Sequence, residues 1–427
     1  MGVGASAAHP RDRIASEGRL GPGPPPPGAT TVRFFVLGDI GHPGAGRARV
    51  ATAMSRLQQA WQSGGELPAS FVVSTGDQVY GPATGEAFDR LEAEVLCHLR
   101  LPWLACLGNH DVKRQYAGWA WNNSRHGMRS ASGWSWLCPA PAYSLDHACA
   151  GLGGPVDIVV ANTNKYRGVR RLGPPASGEY IGDGGPARPF YTSSDTSWWR
   201  EQKRGVEDHF QGESQRSRRW RVVVGHHPSE YAEESGVAPM FEHRVPVARY
   251  FLSSFMRGGP ISRSHRWGLS HVLRRHVDLY LCGHQHLMAH LRLASDGTRP
   301  PEEQRCRYAI VGSSSKTDQD DGDFDDAIDD GSPVSDASPS RTPASRDRVS
   351  AMRRAFTFAD ARQFRGDGSS GGRYSEAWVC RRLGFASILA TKERLEVAFY
   401  EVGETSDAIL RHAFALGDEG TSPTSLP

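Results

Sequence analysis

The sequence has almost no excess of charge of either sign. It carries 50 basic and 47 acidic residues among 427, which gives a formal net charge of +3. Binding to nucleic acid or to an anionic membrane through charge alone needs a much larger basic excess. The composition therefore predicts no nucleic-acid partner.

Dithiol motifs and long apolar runs are also missing. None of the seven cysteines forms a C-x-x-C pair, so no zinc ribbon or redox motif is indicated. No run reaches the ~18 apolar residues of a membrane-spanning helix. The N-terminal segment lacks the apolar core of a secretory signal peptide. The compartment stays unknown, with a cytoplasmic or weakly membrane-associated protein favoured.

Both ends of the chain have the composition of tails. Residues 1–31 are rich in Pro and Gly and are predicted to be disordered, and residues 417–427 are predicted to form a C-terminal tail. The first residues match the pattern M-G-x-x-x-S, with Gly2 and Ser6 placed as N-myristoylation requires. One acyl chain would give only weak membrane attachment, and a plain disordered tail is the alternative.

Apolar, β-branched runs alternate with stretches of helical spacing. Continuous apolar runs are typical of strands that are buried on both faces. Six of them are "VRFFVLGD" (32–39), "SFVVSTGD" (70–77), "LPWLACLGN" (101–109), "VDIVVANTN" (156–164), "WRVVVGHH" (220–227) and "VDLYLCGH" (277–284). Helices are predicted near 45–63, 85–99, 195–211 and 266–276. The alternation predicts an α/β sandwich of sheets covered by helices, followed by antiparallel strands.

An acidic segment interrupts the later strands. Nine Asp lie between 318 and 336, and an Arg-rich stretch follows them. Such a composition buries too little apolar surface to order itself. Residues 317–375 are therefore predicted to be a largely disordered insertion in a single domain that spans 32–416.

Five of the predicted strands end in a glycine followed by polar side chains. The blocks are "GDIG" (38–41), "GDQVY" (76–80), "GNHD" (108–111), "GHHP" (225–228) and "GHQH" (283–286). Glycine lets the backbone turn tightly as it leaves a strand. Ligand sites in open α/β sheets form at the carboxyl ends of the strands, where these blocks lie.

The side chains of these blocks are suitable ligands for metal ions. Carboxylates, an amide oxygen, a phenol and imidazoles favour hard or borderline cations such as Fe, Zn or Mn. They are too numerous for one tetrahedral ion. Shared between two ions ~3.5–4 Å apart, they match the pair of metals that hydrolyses phosphate esters.

On these motifs the sequence resembles the calcineurin-like metallophosphoesterases. Within them it is most similar to the purple acid phosphatases of the small tartrate-resistant type. Two residues identify the branch: Gly41 stands where most metallophosphoesterases have His, and Tyr80 follows the second Asp by three positions. The resemblance implies a four-layer αββα sandwich, and it covers roughly residues 32–313 and 383–416.

The resemblance also implies a role for each residue of the blocks. A first ion, Fe(III), would be bound by Asp39, Tyr80 and His286. A second ion, divalent Fe, Zn or Mn, would be bound by Asn109, His226 and His284. Asp77 would bridge the two ions. His110 would be the catalytic residue that faces the phosphate, and Asp111 would orient its imidazole.

The implied activity is that of an acid phosphatase. A metal-bound hydroxide would attack a phosphomonoester, either a small phosphorylated molecule or a phosphoprotein. The alternatives are a phosphodiesterase or phosphoprotein phosphatase that uses the same metal pair, and a catalytically weak phosphate-binding relative. One departure stands out: Ser235 occupies the place where tartrate-resistant enzymes have a second substrate-side histidine, which leaves Glu234, His243 or His110 alone as the acid.

Overall fold

The computed structural model describes residues 29–80, 85–111, 122, 126–127, 130, 133–149, 151–164, 198–211, 220–228, 269–293, 306–317 and 374–417. Several predictions concern other residues. The residues outside the described ranges are Gly2 and most of the N-terminal tail, Glu234, Ser235 and His243, most of the acidic insertion and most of the C-terminal tail. Thr31, the last residue of the predicted N-terminal tail, already belongs to β1.

The described strands and helices follow the predicted order. The strands are β1 (Thr31–Leu37), β2 (Phe71–Ser74), β3 (Pro102–Ala105), β4 (Ser135–Leu137), β5 (Tyr143–Ser144), β6 (Val156–Val160), β7 (Trp220–Val224), β8 (Leu279–Cys282), β9 (Met288–Leu293), β10 (Arg307–Val311), β11 (Tyr374–Cys380), β12 (Gly384–Thr391), β13 (Arg394–Val402) and β14 (Ala408–Gly417). The helices are α1 (Ala45–Ser63), α2 (Gly85–Glu94), α3 (Leu145–Ala148), α4 (Trp198–Gln211) and α5 (Leu269–His276), with a 3-10 turn at Leu96–His98. All six apolar runs are strands, as predicted.

These strands form two mixed sheets of seven. One has the order β14-β13-β12-β1-β2-β3-β4, and the other has the order β11-β9-β10-β8-β7-β6-β5. The strands β1 to β4 are parallel, and so are β6, β7, β8 and β10. The late strand β12 pairs antiparallel with β1, β13 with β12 and β14 with β13, as their close spacing predicted.

Apolar side chains cover both faces of the central parallel strands, which produces the predicted layers. On β6, Val156, Ile158 and Val160 belong to the core between the sheets, while Val159 and Ala161 belong to the core beneath α4 and α5. Successive side chains of a strand point to opposite faces, so a continuous apolar run serves two layers. The helix α1 covers the first sheet with Val50, Met54 and Trp61 among its buried residues. The four-layer αββα sandwich is confirmed.

The predicted insertion is bounded more tightly by the structure. Thr317, its first residue, is buried, and Tyr374 and Ser375, its last two, already belong to β11. This strand pairs antiparallel with β9 at the edge of the second sheet.

Within the described ranges, no helix combines the length and the apolar character that a membrane crossing requires.

Two of the strand-end loops pack directly on each other. The backbone N–H of Gly41 donates to the carbonyl of Asp77 at 2.9 Å, and that of Asp39 donates to the carbonyl of Gly76 at 2.9 Å. A Cβ at Gly41 would lie 2.5 Å from the backbone of Val79. A side chain of any size at position 41 is therefore incompatible with this loop arrangement, which explains why Gly41 stands there.

We expect Gly41→Ala to destabilise the protein by about 1–3 kcal/mol, because its methyl group meets backbone rather than a side chain that can move. The matched control is Gly85→Ala at the start of α2, where an added Cβ meets nothing within 4 Å. Urea unfolding of both variants measures the difference. Equal stability of Gly41→Ala and Gly85→Ala would contradict the packing of the two loops.

His290 on β9 is a buried histidine between the sheets. Its Nδ1 lies 3.1 Å from Nε2 of His412 on β14, and its ring stacks on Phe414 at 3.7 Å. Burial lowers the pKa of His290 well below its usual 6.5, and the positive charges of His412, Arg307 on β10 and Arg292 act in the same direction. His290 is therefore neutral in the folded protein at neutral pH.

This burial predicts a loss of stability in acid. Because the pKa of His290 is lower in the folded state, the unfolded chain binds the extra proton below about pH 6.5, and stability falls as the pH drops through that value. His290→Phe should reduce the loss between pH 7 and pH 5 by roughly 1–2 kcal/mol. Urea unfolding at both pH values measures it. An unchanged pH dependence in the variant would contradict the burial of a neutral imidazole.

Candidate metal centre

The five polar blocks meet at one edge of the sandwich. Three of them follow β1, β2 and β3 of the first sheet, and two follow β7 and β8 of the second. The strands run parallel within each sheet, so their carboxyl ends lie side by side. All eight predicted site residues lie in these loops.

The backbone at this edge is held in an unusual conformation. Asp39, Asp77 and His284 have φ values of 56°, 54° and 69°, in the left-handed region that L-residues other than glycine rarely adopt. Such conformations cluster at functional sites, where the surrounding structure holds them in place. In three of the five blocks the polar residue after the glycine has this conformation, and only Gly76 among the leading glycines has a positive φ.

The leading glycines are needed mainly for space. A Cβ at Gly76 would lie 2.5 Å from Nδ1 of His226, and one at Gly108 would overlap the carboxylate of Asp77. From the sequence, these glycines are predicted to let the backbone turn tightly as it leaves each strand. For Gly38, Gly108, Gly225 and Gly283 the structure gives a different reason, because a neighbouring side chain occupies the position of the missing Cβ.

Asp39, Tyr80 and His286 form a first group of donor atoms. The Tyr80 hydroxyl donates to Oδ1 of Asp39 at 3.0 Å and lies 2.9 Å from Nε2 of His286. The same imidazole nitrogen is 3.6 Å from Asp39 Oδ1. Two oxygens and one nitrogen, from three different loops, thus converge within hydrogen-bonding distance.

Asn109, His226 and His284 form a second group. Oδ1 of Asn109 lies 2.9 Å from Nε2 of His226 and 3.0 Å from Nδ1 of His284. Burial, then the positive charge of His226, lowers the pKa of His284 to about 4, so this imidazole is neutral. A neutral imidazole nitrogen is the form that binds a metal ion.

The contacts of His226 show why this group fits a cation. Its Nδ1 donates to the backbone carbonyl of Thr75 at 3.0 Å. Its Nε2 then faces acceptor oxygens of Asn109, at 2.9 Å, and of Asp77, at 3.5 Å. Burial alone would lower the pKa of His226, but Asp77 raises it to about 9. The nitrogen therefore needs a proton or a metal ion between it and the oxygens.

Asp77 lies between the two groups. It accepts a hydrogen bond from the backbone N–H of His110 at 2.8 Å, and ligand atoms of Asp39, Asp77 and His226 lie within 4.8 Å of one another. Burial would raise the pKa of Asp77, but His226 and His110 hold it well below the usual range. The carboxylate is therefore ionised, and it is adjacent to both groups.

His110 lies beside these carboxylates, and Asp111 does not orient it. The ring of His110 packs on Tyr80 at 4.3 Å, and its Nε2 is 4.0 Å from Asp77. The carboxylate of Asp111 accepts instead from the backbone N–H groups of Gly108 at 2.8 Å and Gln78 at 3.1 Å. The predicted role of Asp111 was wrong, because this side chain joins two loops together.

Two residues near the site were not predicted. His227 is buried beside His226 and His284 in a group that could hold a metal ion, and burial, then the proximity of these imidazoles, lowers its pKa well below 6.5. The second His of "GHHP" was a signal for it. Lys316 contacts Tyr80 from the loop after β10, and its sequence neighbours, three serines and a threonine, gave no signal.

A family model and two curated proteins match the sequence. Residues 32–288 match the family described as calcineurin-like phosphoesterase, a span of more than half the chain. Purple acid phosphatase 4 of Arabidopsis thaliana is 26% identical over 270 residues, which are 61% of this chain and 64% of that protein. Purple acid phosphatase 3 of the same plant is 33% identical over 90 residues, 19% of this chain and 23% of its own length. The chain thus spans less than two thirds of these relatives.

Solved structures with a similar course of the chain include purple acid phosphatase PPD1 from yellow lupin (Lupinus luteus) seeds. The sequence identity is 12% and the TM-score 0.49, over 92% of this chain and 55% of that one. GAP50 of Plasmodium, described as the anchor in the inner membrane complex, has a sequence identity of 14% and a TM-score of 0.47, over 91% of this chain and 89% of that one. On the sequence matches, which confirm what the motifs predicted, the chain belongs to the calcineurin-like phosphoesterase family, with purple acid phosphatases among its relatives.

Proposed function

We propose that the protein is a metal-dependent phosphatase that hydrolyses phosphomonoesters. The observation that carries the proposal is the convergence of six donor side chains in two groups, with the ionised carboxylate of Asp77 between them. Membership of the phosphoesterase family and the names of the curated relatives support it.

The proposed centre contains Fe(III) and a divalent ion, either Fe, Zn or Mn. Asp39, Tyr80 and His286 would bind Fe(III), Asn109, His226 and His284 would bind the divalent ion, and Asp77 would bridge them. A phenol with a free pKa of ~10 loses its proton readily only to a strong cation, which favours the trivalent ion beside Tyr80. The amide of Asn109 is neutral, which suits the ion of lower charge.

The protein side chains would position and neutralise the phosphate. When bound, the metal pair supplies electrophilic stabilisation and acidifies the attacking water. The backbone N–H of His110 donates to Asp77, and its imidazole contacts the ring of Tyr80. The hydroxyl of that ring belongs to the first group of donors. The imidazole of His110 would donate a hydrogen bond to the phosphate or a proton to the leaving oxygen, a contribution typically of 10²–10⁴-fold.

The activity is tested with a monoester, a diester and a phosphopeptide. We expect wild-type protein to hydrolyse p-nitrophenyl phosphate with a kcat/KM at least about 10-fold above that for bis(p-nitrophenyl) phosphate and for a phosphoserine peptide. Asp77→Asn keeps the shape of the side chain and removes its charge, so it should lose essentially all hydrolysis. Faster hydrolysis of the diester or of the peptide would favour the corresponding alternative, and no hydrolysis at all would refute the proposed function.

Tyr80→Phe tests the assignment of the phenol. A phenolate bound to Fe(III) gives the concentrated protein a visible charge-transfer band, and the variant should lose this band. The ring of Tyr80 packs on His110 and stays in place in the variant, so the melting temperature should change little. Absorption spectra, iron content and thermal melts measure these effects. A wild type that holds iron and shows no visible band would contradict the assignment.

A further inference from the structure

We propose that Lys316 binds the phosphate group of the substrate, and this inference rests on the proposed function. The ammonium Nζ of Lys316 lies 4.6 Å from the centre of the Tyr80 ring, and the side chain is half-buried. The hydroxyl of the same ring contacts Asp39 and His286. An ammonium group thus lies against a residue of the candidate metal centre.

The position of Lys316 is fixed by its own loop. The Oγ atom of Ser314 accepts from the backbone N–H of Gly38 at 3.3 Å and donates to the carbonyl of Gly384 at 2.8 Å. Ser315 Oγ donates to the carbonyl of Asp39. The two residues that precede Lys316 are therefore bonded to Gly38 and Asp39, which follow β1. Because Asp39 belongs to the first donor group, Lys316 is part of the site and not of a remote surface.

The charge of Lys316 is suited to an anion at this place. An ammonium group beside bound metal cations would be repelled by them. An anion that enters the site reverses the sign of the interaction. Lysine is a compact point charge with three donors, a common ligand of phosphate groups.

Lys316 and His110 can act on the same anion. The ring of Tyr80 contacts both, with His110 at 4.3 Å between ring centres and Lys316 Nζ at 4.6 Å from the ring centre. We infer that Lys316 contributes to binding of the phosphate dianion, while His110 contributes to the chemical step.

The test is the affinity of the metal-loaded protein for inorganic phosphate, measured by isothermal titration calorimetry. Lys316→Met keeps the length of the side chain and removes its charge, and it should weaken binding about 10–100-fold, the loss expected for one charge-assisted hydrogen bond. The KM for p-nitrophenyl phosphate should rise in parallel, with a smaller effect on kcat. Lys316→Arg should restore most of the affinity. The control is Lys392→Met, which removes an exposed lysine between β12 and β13 and should change nothing.

Metal content, visible spectrum and melting temperature of the Lys316→Met variant distinguish two roles of Lys316: direct binding of phosphate, and holding the Tyr80 ring in place. If Lys316→Met binds phosphate within twofold of the wild type, the inference is wrong. It is also wrong if phosphate affinity falls only together with metal content or with the visible band, because Lys316 would then merely hold Tyr80. An active wild type with an unaffected Lys316→Met variant overturns this inference alone, whereas a wild type that binds neither metal nor phosphate overturns the proposed function.

Discussion

The negative charge of two buried carboxylates, Asp39 and Asp77, is the constraint on which the candidate centre depends. The residues are 0% and 2% exposed, and an isolated carboxylate is very costly to bury. Without an ion, the compensation comes from Tyr80 and the backbone of His284 around Asp39, and from His226 and His110 around Asp77. Two metal ions would supply that compensation more completely, and the imidazoles would be left neutral.

The sandwich holds the backbone of Asp39 and Asp77 in a conformation that these residues rarely adopt. Asp39 and Asp77 both adopt left-handed backbone angles, and their loops are joined by backbone hydrogen bonds from Asp39 to Gly76 and from Gly41 to Asp77. Parallel strands buried on both faces anchor each loop at its beginning. Because such conformations cost of order 1–3 kcal/mol each, only a rigid and well-packed scaffold can maintain several of them at one edge.

Much of this arrangement could be predicted from the sequence, for physical reasons. The strands β1, β2 and β3 are continuous apolar runs because both faces of the sheet are covered, so they are easy to recognise. The polar residues that follow them, such as Asp39 and Asn109, stand out because nothing else in a buried strand requires a carboxylate or an amide. The parallel topology then brings them together without further information.

The features that the sequence did not reveal depend on contacts between distant residues. The strand β11 pairs with β9 across about 80 residues, and the acidic composition before it suggested a disordered segment that extended to 375. Asp111 was expected to contact its neighbour His110, but it bonds to Gln78 in another loop. Lys316 approaches Tyr80 only because two serines fasten its loop to β1. No periodicity or local motif records such contacts.

The most direct test of the central claim is the metal content of the purified wild-type protein, measured together with its melting temperature before and after chelation. If the buried carboxylates are compensated by metal ions, the protein will contain close to two ions per chain, and their removal will lower the melting temperature because ligands that bind only the folded state stabilise it. Readdition of iron and zinc will restore it. A protein that binds less than one ion per chain, or that melts at the same temperature with and without metal, would contradict the account.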